Sequence, residues 1–392
     1  MSASGGLIMQ GKRFLRSIGL KNLLSYGSEG VRLDLEPLNV LIGQNAAGKS
    51  NLIEAISLLA ATPRDLMQPI RRGGGVLEWL WKGVVDPQAE LDVDLDVKGL
   101  PVRYGISFTA FESSFHLVHE ELSLEEPERA LYQFREGGPR FLHPGVVPAE
   151  GLPAPINWEQ SVFSQLKDPL GHPELTETGR LLGQVRLFRG FDTGPNTALR
   201  RPQSLDQPDD FLLEDGSNLG LVLNKLKNRP ATKRLLLEQL KLFYEGIEDV
   251  ETQIQGGTVQ VFIHEHGDRP IPATRLSDGT LTYLCLLSIL CHPDPPPLVC
   301  FEEPETELHP DIIPSLADLL KEASKRTQII VTTHSDALVS SLNDVPEAIV
   351  VCERRREGTS LRRLEPDKLK EWLKRYSLGE LWSMGEIGGN RW

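Results

Sequence analysis

The sequence predicts an α/β fold: a mixed central sheet with flanking helices, an N-terminal antiparallel β part and an inserted lobe of strands and helices. Three observations carry that prediction. They are a strand, glycine-rich turn and helix over residues 38–61, three period-two runs between Glu90 and Leu124, and a short apolar run, Leu298–Phe301, that ends in carboxylates.

The first observation holds the most chemistry. Residues 43–50, GQNAAGKS, fit the pattern GxxxxGK[ST], in which backbone N–H groups wrap around nucleotide phosphates. Leu38, Val40, Leu41 and Ile42 before it read as a buried strand, and Asn51–Ala61 after it as a helix with an apolar face. A helix N-terminus would then point unpaired N–H groups and its positive dipole end at the phosphates. The candidate nucleotide-binding residues are Gly43, Gln44, Asn45, Ala46, Ala47, Gly48, Lys49, Ser50 and Asn51. Lys49 is expected to reach the β and γ oxygens, and the Ser50 hydroxyl to ligate Mg²⁺. No NKxD-type guanine-reading motif is present, which favours ATP over GTP.

Length and composition frame the rest. A chain of 392 residues suggests two domains or one with a large insertion. Charged residues at 25% and hydrophobic residues at 40% are ordinary for a globular protein, and no run of about 18 apolar residues offers a membrane span. The opening MSASGGLIMQ lacks an apolar core of signal-peptide length, so the expectation is a cytoplasmic protein. Cys285, Cys291, Cys300 and Cys352 sit in apolar contexts without CxxC spacing and read as reduced core thiols. A net charge of −13 argues against broad adhesion to nucleic acid but leaves room for a local basic groove.

Phe14–Leu20 and Val31–Leu35 alternate as strands around the turn SYGSEG. ELDVDLDV, PVRYGISF and FHLVHEELSL alternate with period two and read as an antiparallel β-meander. Residues 136–160 are rich in Gly and Pro and read as a long connection. Helices are expected over Asn218–Lys227 and Thr232–Tyr244, then a hairpin from Val250 to His264 turned by Gly256 and Gly257. Neither internal repeats nor a long heptad run is visible.

Leu298–Phe301 is short and continuously apolar, as a buried parallel strand should be, and it runs into Glu302-Glu303-Pro304-Glu305. Carboxylates at the C-terminal end of a strand lie where α/β sheets place their sites. Glu302 fits the acid that holds Mg²⁺, and Glu303 the one that orients the attacking water. A second apolar strand, Gln328–Val331, ends in Thr332, Thr333 and His334, which brings a histidine to the same edge and within reach of a γ-phosphate. His264 and His266 share a strand face, but lack further ligands and read as structural.

Between the hairpin and the acidic strand lies Leu276-Ser277-Asp278-Gly279-Thr280, followed by the apolar stretch LTYLCLLSIL. The order GQNAAGKS, LSDGT, LVCFEEPE, VTTHSD resembles the ABC-type ATPases, in the RecF, OLD and structural-maintenance-of-chromosomes branch of the P-loop ATPases. The opening KNLLSYG…LNVLIGQNAAGKSNLIEAI, the middle FDTGPNTALRRPQ and DGSNLGLVLNKL, and the closing LGELWSMGEIGGNRW look like the stand-alone bacterial "predicted ATPase" family with an AAA-type core. The closing segment carries no chemistry that the sequence alone assigns.

The resemblance implies a P-loop ATPase that hydrolyses ATP with Mg²⁺. Its homodimer would close when Ser277 and Gly279 of one subunit cap ATP on the phosphate loop of the other, and open after hydrolysis through Glu303. The family's Walker B aspartate is Glu302 here. The second glycine of the signature is Asp278, whose charge implies that it faces away from phosphate. For the Mg²⁺-sensing glutamine the candidate is Gln165, and for the adenine contact the neighbourhood of Asn22–Tyr26.

The resemblance also divides the chain into residues 1–62, the first half of the ATPase core; 63–245, an inserted lobe; 246–364, the second core half; and 365–392, a C-terminal helix and tail. The stretch after His334 is short for the nuclease domain of OLD proteins, so the chain is not expected to cut DNA. DNA clamping in repair or genome defence is the leading role. Arg186, Arg189, Arg200, Arg201, Lys225, Lys227, Arg229, Lys233 and Arg234 would line the groove, or else form solvated faces balanced by acids. Arg71-Arg72-Gly73-Gly74-Gly75 reads as a turn, or as a phosphate contact. The alternative role is a regulatory ATP switch acting on an effector protein, without nucleic acid or membrane.

Overall fold

Apolar residues fall on both faces of the central strands, and that pattern dictates a sheet covered on two sides. The computed structural model describes residues 11–125, 129–135, 138–141, 157, 159–266 and 270–389. Strands β1 (Leu15–Lys21) and β2 (Val31–Asp34) pair antiparallel before the chain enters β3 (Leu38–Ile42), whose residues are all buried. The phosphate-loop helix follows over Lys49–Ala61. Then β4 (Ala89–Val97), β5 (Leu100–Phe111), β6 (Ser114–Leu124), β7 (Arg129–Arg135) and β8 (Gly138–Phe141) form a meander. With β1 and β2 they build a seven-stranded antiparallel sheet in the order β2-β1-β4-β5-β6-β7-β8. The meander is thus two strands longer than expected, and β8 lies inside the predicted connection. Residues 136, 137, 142–156 and 158 of that connection lie outside the described residues.

Strand β9 (Arg186–Phe188) and the two-residue β10 (Gln203–Ser204) precede helices at Leu219–Lys227 and Pro230–Phe243. The predicted hairpin is present as β11 (Ile247–Gln255) and β12 (Thr258–Glu265); with β10, and with β13 (Pro270–Pro272) on β12, it makes a small separate sheet. The signature helix spans Asp278–Leu290. The chain continues through β14 (Leu298–Glu302), a helix over Ile313–Ser324, β15 (Gln328–Thr332), and a hairpin of β16 (Ile349–Arg355) and β17 (Gly358–Arg363).

The core sheet has six strands in the order β17-β16-β3-β15-β14-β9. All neighbours are parallel except β17, which closes one edge antiparallel. Leu38, Val40, Ile42, Val299, Phe301, Ile329 and Val331 face the cluster that holds the signature helix. Leu41, Leu298, Cys300, Ile330, Val350 and Cys352 face the phosphate-loop helix and the antiparallel sheet. Residues that alternate along one strand therefore enter opposite cores. Sheet membership does not follow the expected division at residue 63: β9, from the middle segment, joins the core sheet as its edge. The four cysteines are buried free thiols. No helix among the described residues is long and apolar enough to cross a membrane.

Candidate nucleotide-binding site

Parallel register brings four strand ends to one edge. Phe188 pairs with Phe301, Glu302 with Thr332, and Thr332 with Leu41, so the residues that follow each strand converge there. The turn out of β3 needs glycine. Gly43 and Gly48 have φ of 151° and 101°, and a Cβ at Gly48 would strike Thr359 and Ser25. Gly48 is the helix N-cap and no side chain caps it, which leaves the first N–H groups to a ligand. The buried Lys49 ammonium donates to the Gly43 and Gln44 carbonyls at 2.8 and 2.9 Å. Burial lowers its pKa, opposed by Cys352 and Glu303, so the acidic strand lies within electrostatic reach of the loop.

The loop is braced from behind. The Tyr26 hydroxyl donates to the Gly48 carbonyl at 3.1 Å, and Thr359 on β17 bonds the Ala47 carbonyl (3.0 Å) and the Ser25 hydroxyl (2.8 Å). Leu23 and Tyr26 of the proposed adenine neighbourhood are fully buried, and Tyr26 supports the phosphate loop. The closing segment also gains a role. Ser377 and Glu380 form a capping box on the Leu378–Met384 helix, buried Trp382 donates to the Gly389 carbonyl at 2.7 Å, and a Cβ on Gly389 would meet Gly43 Cα at 3.2 Å.

At the acidic strand, Glu302 is partly buried and its Oε1 has no hydrogen-bond partner. Burial raises its pKa, the positive charge of Arg189 opposes that shift, and Glu54 and Glu303 add to it. A buried acceptor without a donor, at the sheet edge where the phosphate loop also leaves its strand, fits a hard cation with oxygen ligands. Glu303 adopts φ 45°, a left-handed conformation unusual outside glycine. Its N–H donates to the Thr332 carbonyl (2.9 Å), and its carboxylate Oε1 lies 3.7 Å from His334 Nε2. Glu305, missed by the sequence reading, ties the two loops together: it accepts from the Thr333 hydroxyl and from the His334 N–H at 3.2 Å.

The signature segment stands on the other side of the sheet. Leu276 is buried in the core, and Ser277 caps the helix by accepting from the Thr280 N–H (3.1 Å) while meeting the Thr280 hydroxyl at 2.7 Å. The departure at Asp278 has a physical reason. Arg200, buried, donates to the carbonyls of Thr193 (2.6 Å), Ala273 (3.1 Å) and Leu276 (2.6 Å) and to Asp278 Oδ1 (2.6 Å). Asp278 thus neutralises the arginine that shapes the segment. Gly279 packs so closely that a Cβ would lie 2.8 Å from the Glu307 carbonyl.

One expectation needs correction. Gln165 is not brought to the phosphate loop: its amide donates to the carbonyls of Asn157 (3.1 Å) and Gln160 (3.0 Å), and its oxygen accepts from the Asn157 N–H (2.8 Å). Its short helix, Val162–Gln165, is moored to the antiparallel sheet through Glu120, which accepts from the Val162 N–H. Arg200 belongs to the signature. Five of the other eight proposed groove residues pair with neighbouring acids, as the balanced-face alternative expects: Arg189 with Glu54, Lys225 with Asp209, Arg229 with Asp294, Lys233 with Asp249 and Arg234 with Glu238. Arg71 pairs with Asp65 at 3.0 Å, and His264 and His266 pair with Glu251 and Glu248.

Phosphate loop, signature, paired acids and histidine loop, in that order along the chain and on a mixed sheet, define the fold of the RecF- and SMC-related P-loop ATPases. Within it, the chain belongs to the family described as "AAA domain, putative AbiEii toxin, Type IV TA system", which matches residues 38–149 and 200–340. Among curated proteins it is similar to the DNA replication and repair protein RecF of Lactococcus lactis subsp. lactis (strain IL1403) and of subsp. cremoris (strain MG1363). Identity to each is 51% over 49 residues, 12% of this chain and 13% of the relative's length. Among solved structures it resembles an SmcHead bound to the C-winged helix domain of ScpA (TM-score 0.56, 15% identity, 91% of this chain and 99% of the other). It also resembles a Pyrococcus furiosus Smc head domain with an extended coiled coil, bound to the C-terminal domain of ScpA (TM-score 0.56, 14%, 92% and 98%). At these identities the structural likeness establishes the fold.

Proposed function

We propose that the protein binds ATP with Mg²⁺, hydrolyses it, and uses ATP to close a homodimer. The observation that carries this reading is the convergence of Lys49, Ser50, Glu302 with its unpartnered oxygen, and Glu303 beside His334, at one sheet edge. Lys49 and the loop N–H groups would bind the β- and γ-phosphates, with Asn51 opening the helix. Ser50 and Glu302 would hold Mg²⁺, whose chemistry when bound is to neutralise charge on the phosphate oxygens. Glu303 would orient and deprotonate the attacking water, and His334 would meet the γ-phosphate. Exposed Ser277, with Gly279 and Thr280, would cap the nucleotide of the partner copy. In this reading residues 1–62 and 246–364, joined by β9 from the middle segment, supply the core, the rest of 63–245 the lobe and 365–392 the bracing tail, in a cytoplasmic protein.

What turnover drives is proposed to be DNA binding in repair or genome defence, by similarity to RecF. The second reading, a switch for a protein partner, is favoured by one observation: the basic residues that would line a groove are largely ion-paired. One experiment separates them. ATP hydrolysis is measured with and without duplex and single-stranded DNA at low and moderate salt, beside Glu303→Gln. The variant should bind ATP, lose about 10²–10⁴-fold in turnover and accumulate as a dimer. Hydrolysis by Glu303→Gln at the parent rate would refute the catalytic assignment. Stimulation by DNA that fades with salt supports the first reading, and turnover indifferent to DNA supports the second.

A further inference from the structure

The strand position beside Glu302 belongs to an arginine. Phe188 pairs with Phe301, so Arg189, the next residue, leaves β9 level with Glu302. Its guanidinium Nη1 donates to Glu54 Oε1 at 2.5 Å. Glu54 lies four residues after Ser50, on the same face of the phosphate-loop helix. Glu54, Glu302 and Arg189 therefore lie within electrostatic reach of one another at the sheet edge, one helical turn from Ser50. The arginine also has room to move: it lines an open cavity of about 320 Å³ with Gln68, Arg72 and Glu214, and Gly190 after it has φ 120° with no heavy atom within 4 Å of a built Cβ.

A guanidinium cannot ligate a metal ion, yet it matches phosphate oxygens with paired donors. We propose that Arg189 is a built-in second cation of the nucleotide site, parked on Glu54 in the free protein and turned to the triphosphate of bound ATP. There it shares the charge that Mg²⁺ would otherwise neutralise alone. This rests on the nucleotide reading of the site and adds a consequence: ATP should bind appreciably before the metal arrives, because a resident cation takes part of the metal's place. Glu54 then sets the strength of that effect by competing with phosphate for the same donors.

The test is equilibrium binding of ATP itself to the full chain in the Glu303→Gln background, with Mg²⁺ and with EDTA. Arg189→Ala should weaken metal-free ATP binding by about tenfold or more, the worth of one charge-assisted contact, and weaken binding with Mg²⁺ by a smaller factor. Glu54→Gln should tighten metal-free binding, and the gain should vanish in the double variant with Arg189→Ala. If the alanine variant does not fold, Arg189→Lys keeps the charge without the paired donors and should still show a selective metal-free loss. Equal losses with and without Mg²⁺, or none, would overturn the proposal while leaving the nucleotide site intact. Failure of the unsubstituted background to bind ATP would overturn both.

Discussion

The phosphate loop and the signature segment, the two halves of the proposed nucleotide site, are held in different ways. The loop is braced by many small backbone contacts. Tyr26 and Thr359 bond its carbonyls, Lys49 folds back onto Gly43 and Gln44, and Gly389 packs on Gly43. The signature leans on one distant side chain, Arg200, which reaches the Ala273 and Leu276 carbonyls and Asp278 while its Nε holds the nearby Thr193 carbonyl. A loop fixed by distributed backbone contacts tolerates change around it. A segment fixed by one buried cation does not.

The largest effect should come from the functional group that the loop presents. In the proposed reading Lys49→Ala removes the ammonium that would meet the β- and γ-phosphates, so ATP affinity should fall by about a hundredfold or more, measured by equilibrium binding. Affinity within threefold of the parent would mean that the loop's N–H groups suffice, and the assignment of Lys49 would be wrong.

Arg200→Ala should come next, and act at a different step. Three carbonyls lose a charged donor, and the turn before the signature helix should lose its shape. Because Arg200 touches the signature and not the loop, ATP binding to the monomer should stay within about threefold. Turnover and ATP-dependent dimerisation should drop about tenfold or more, the cost of misplacing positioning groups. Asp278→Asn, which keeps a hydrogen-bond acceptor, should cost far less. If both variants cut ATP affinity and turnover equally, the two segments are not separable and the contrast fails.

These contacts also explain what the sequence discloses. The phosphate loop, the acidic strand and His334 are local: pattern, strand and turn lie within a dozen residues, so periodicity and motif suffice. The first three meander strands are legible for the same reason. Glu305 lies within the acidic motif, yet its function depends on Thr333 and His334 arriving on another strand. Arg189 follows only a three-residue strand, β9, too short to give a period. Buried Arg200 sits in a polar stretch, and most of its partners, Ala273, Leu276 and Asp278, arrive from the signature turn more than 70 residues away. Gln165 failed because an exposed glutamine after a short apolar run carries no sign that its own backbone will claim it.

The smallest effect tests whether bracing is truly distributed. Trp382 is 1% exposed, and its indole N–H holds the Gly389 carbonyl at 2.7 Å. Trp382→Phe keeps an aromatic ring but removes that donor and leaves a small void, a combined cost of about 1–3 kcal/mol in unfolding free energy. Gly389 is one of several supports for Gly43, with Tyr26 and Thr359 bracing the loop independently. Loss of the tryptophan bond should therefore lower the denaturation midpoint yet weaken ATP binding by less than about threefold. A loss of affinity as large as that of Lys49→Ala would show instead that the closing segment is the loop's principal support. The phosphate loop would then depend on one distant side chain, just as the signature depends on Arg200.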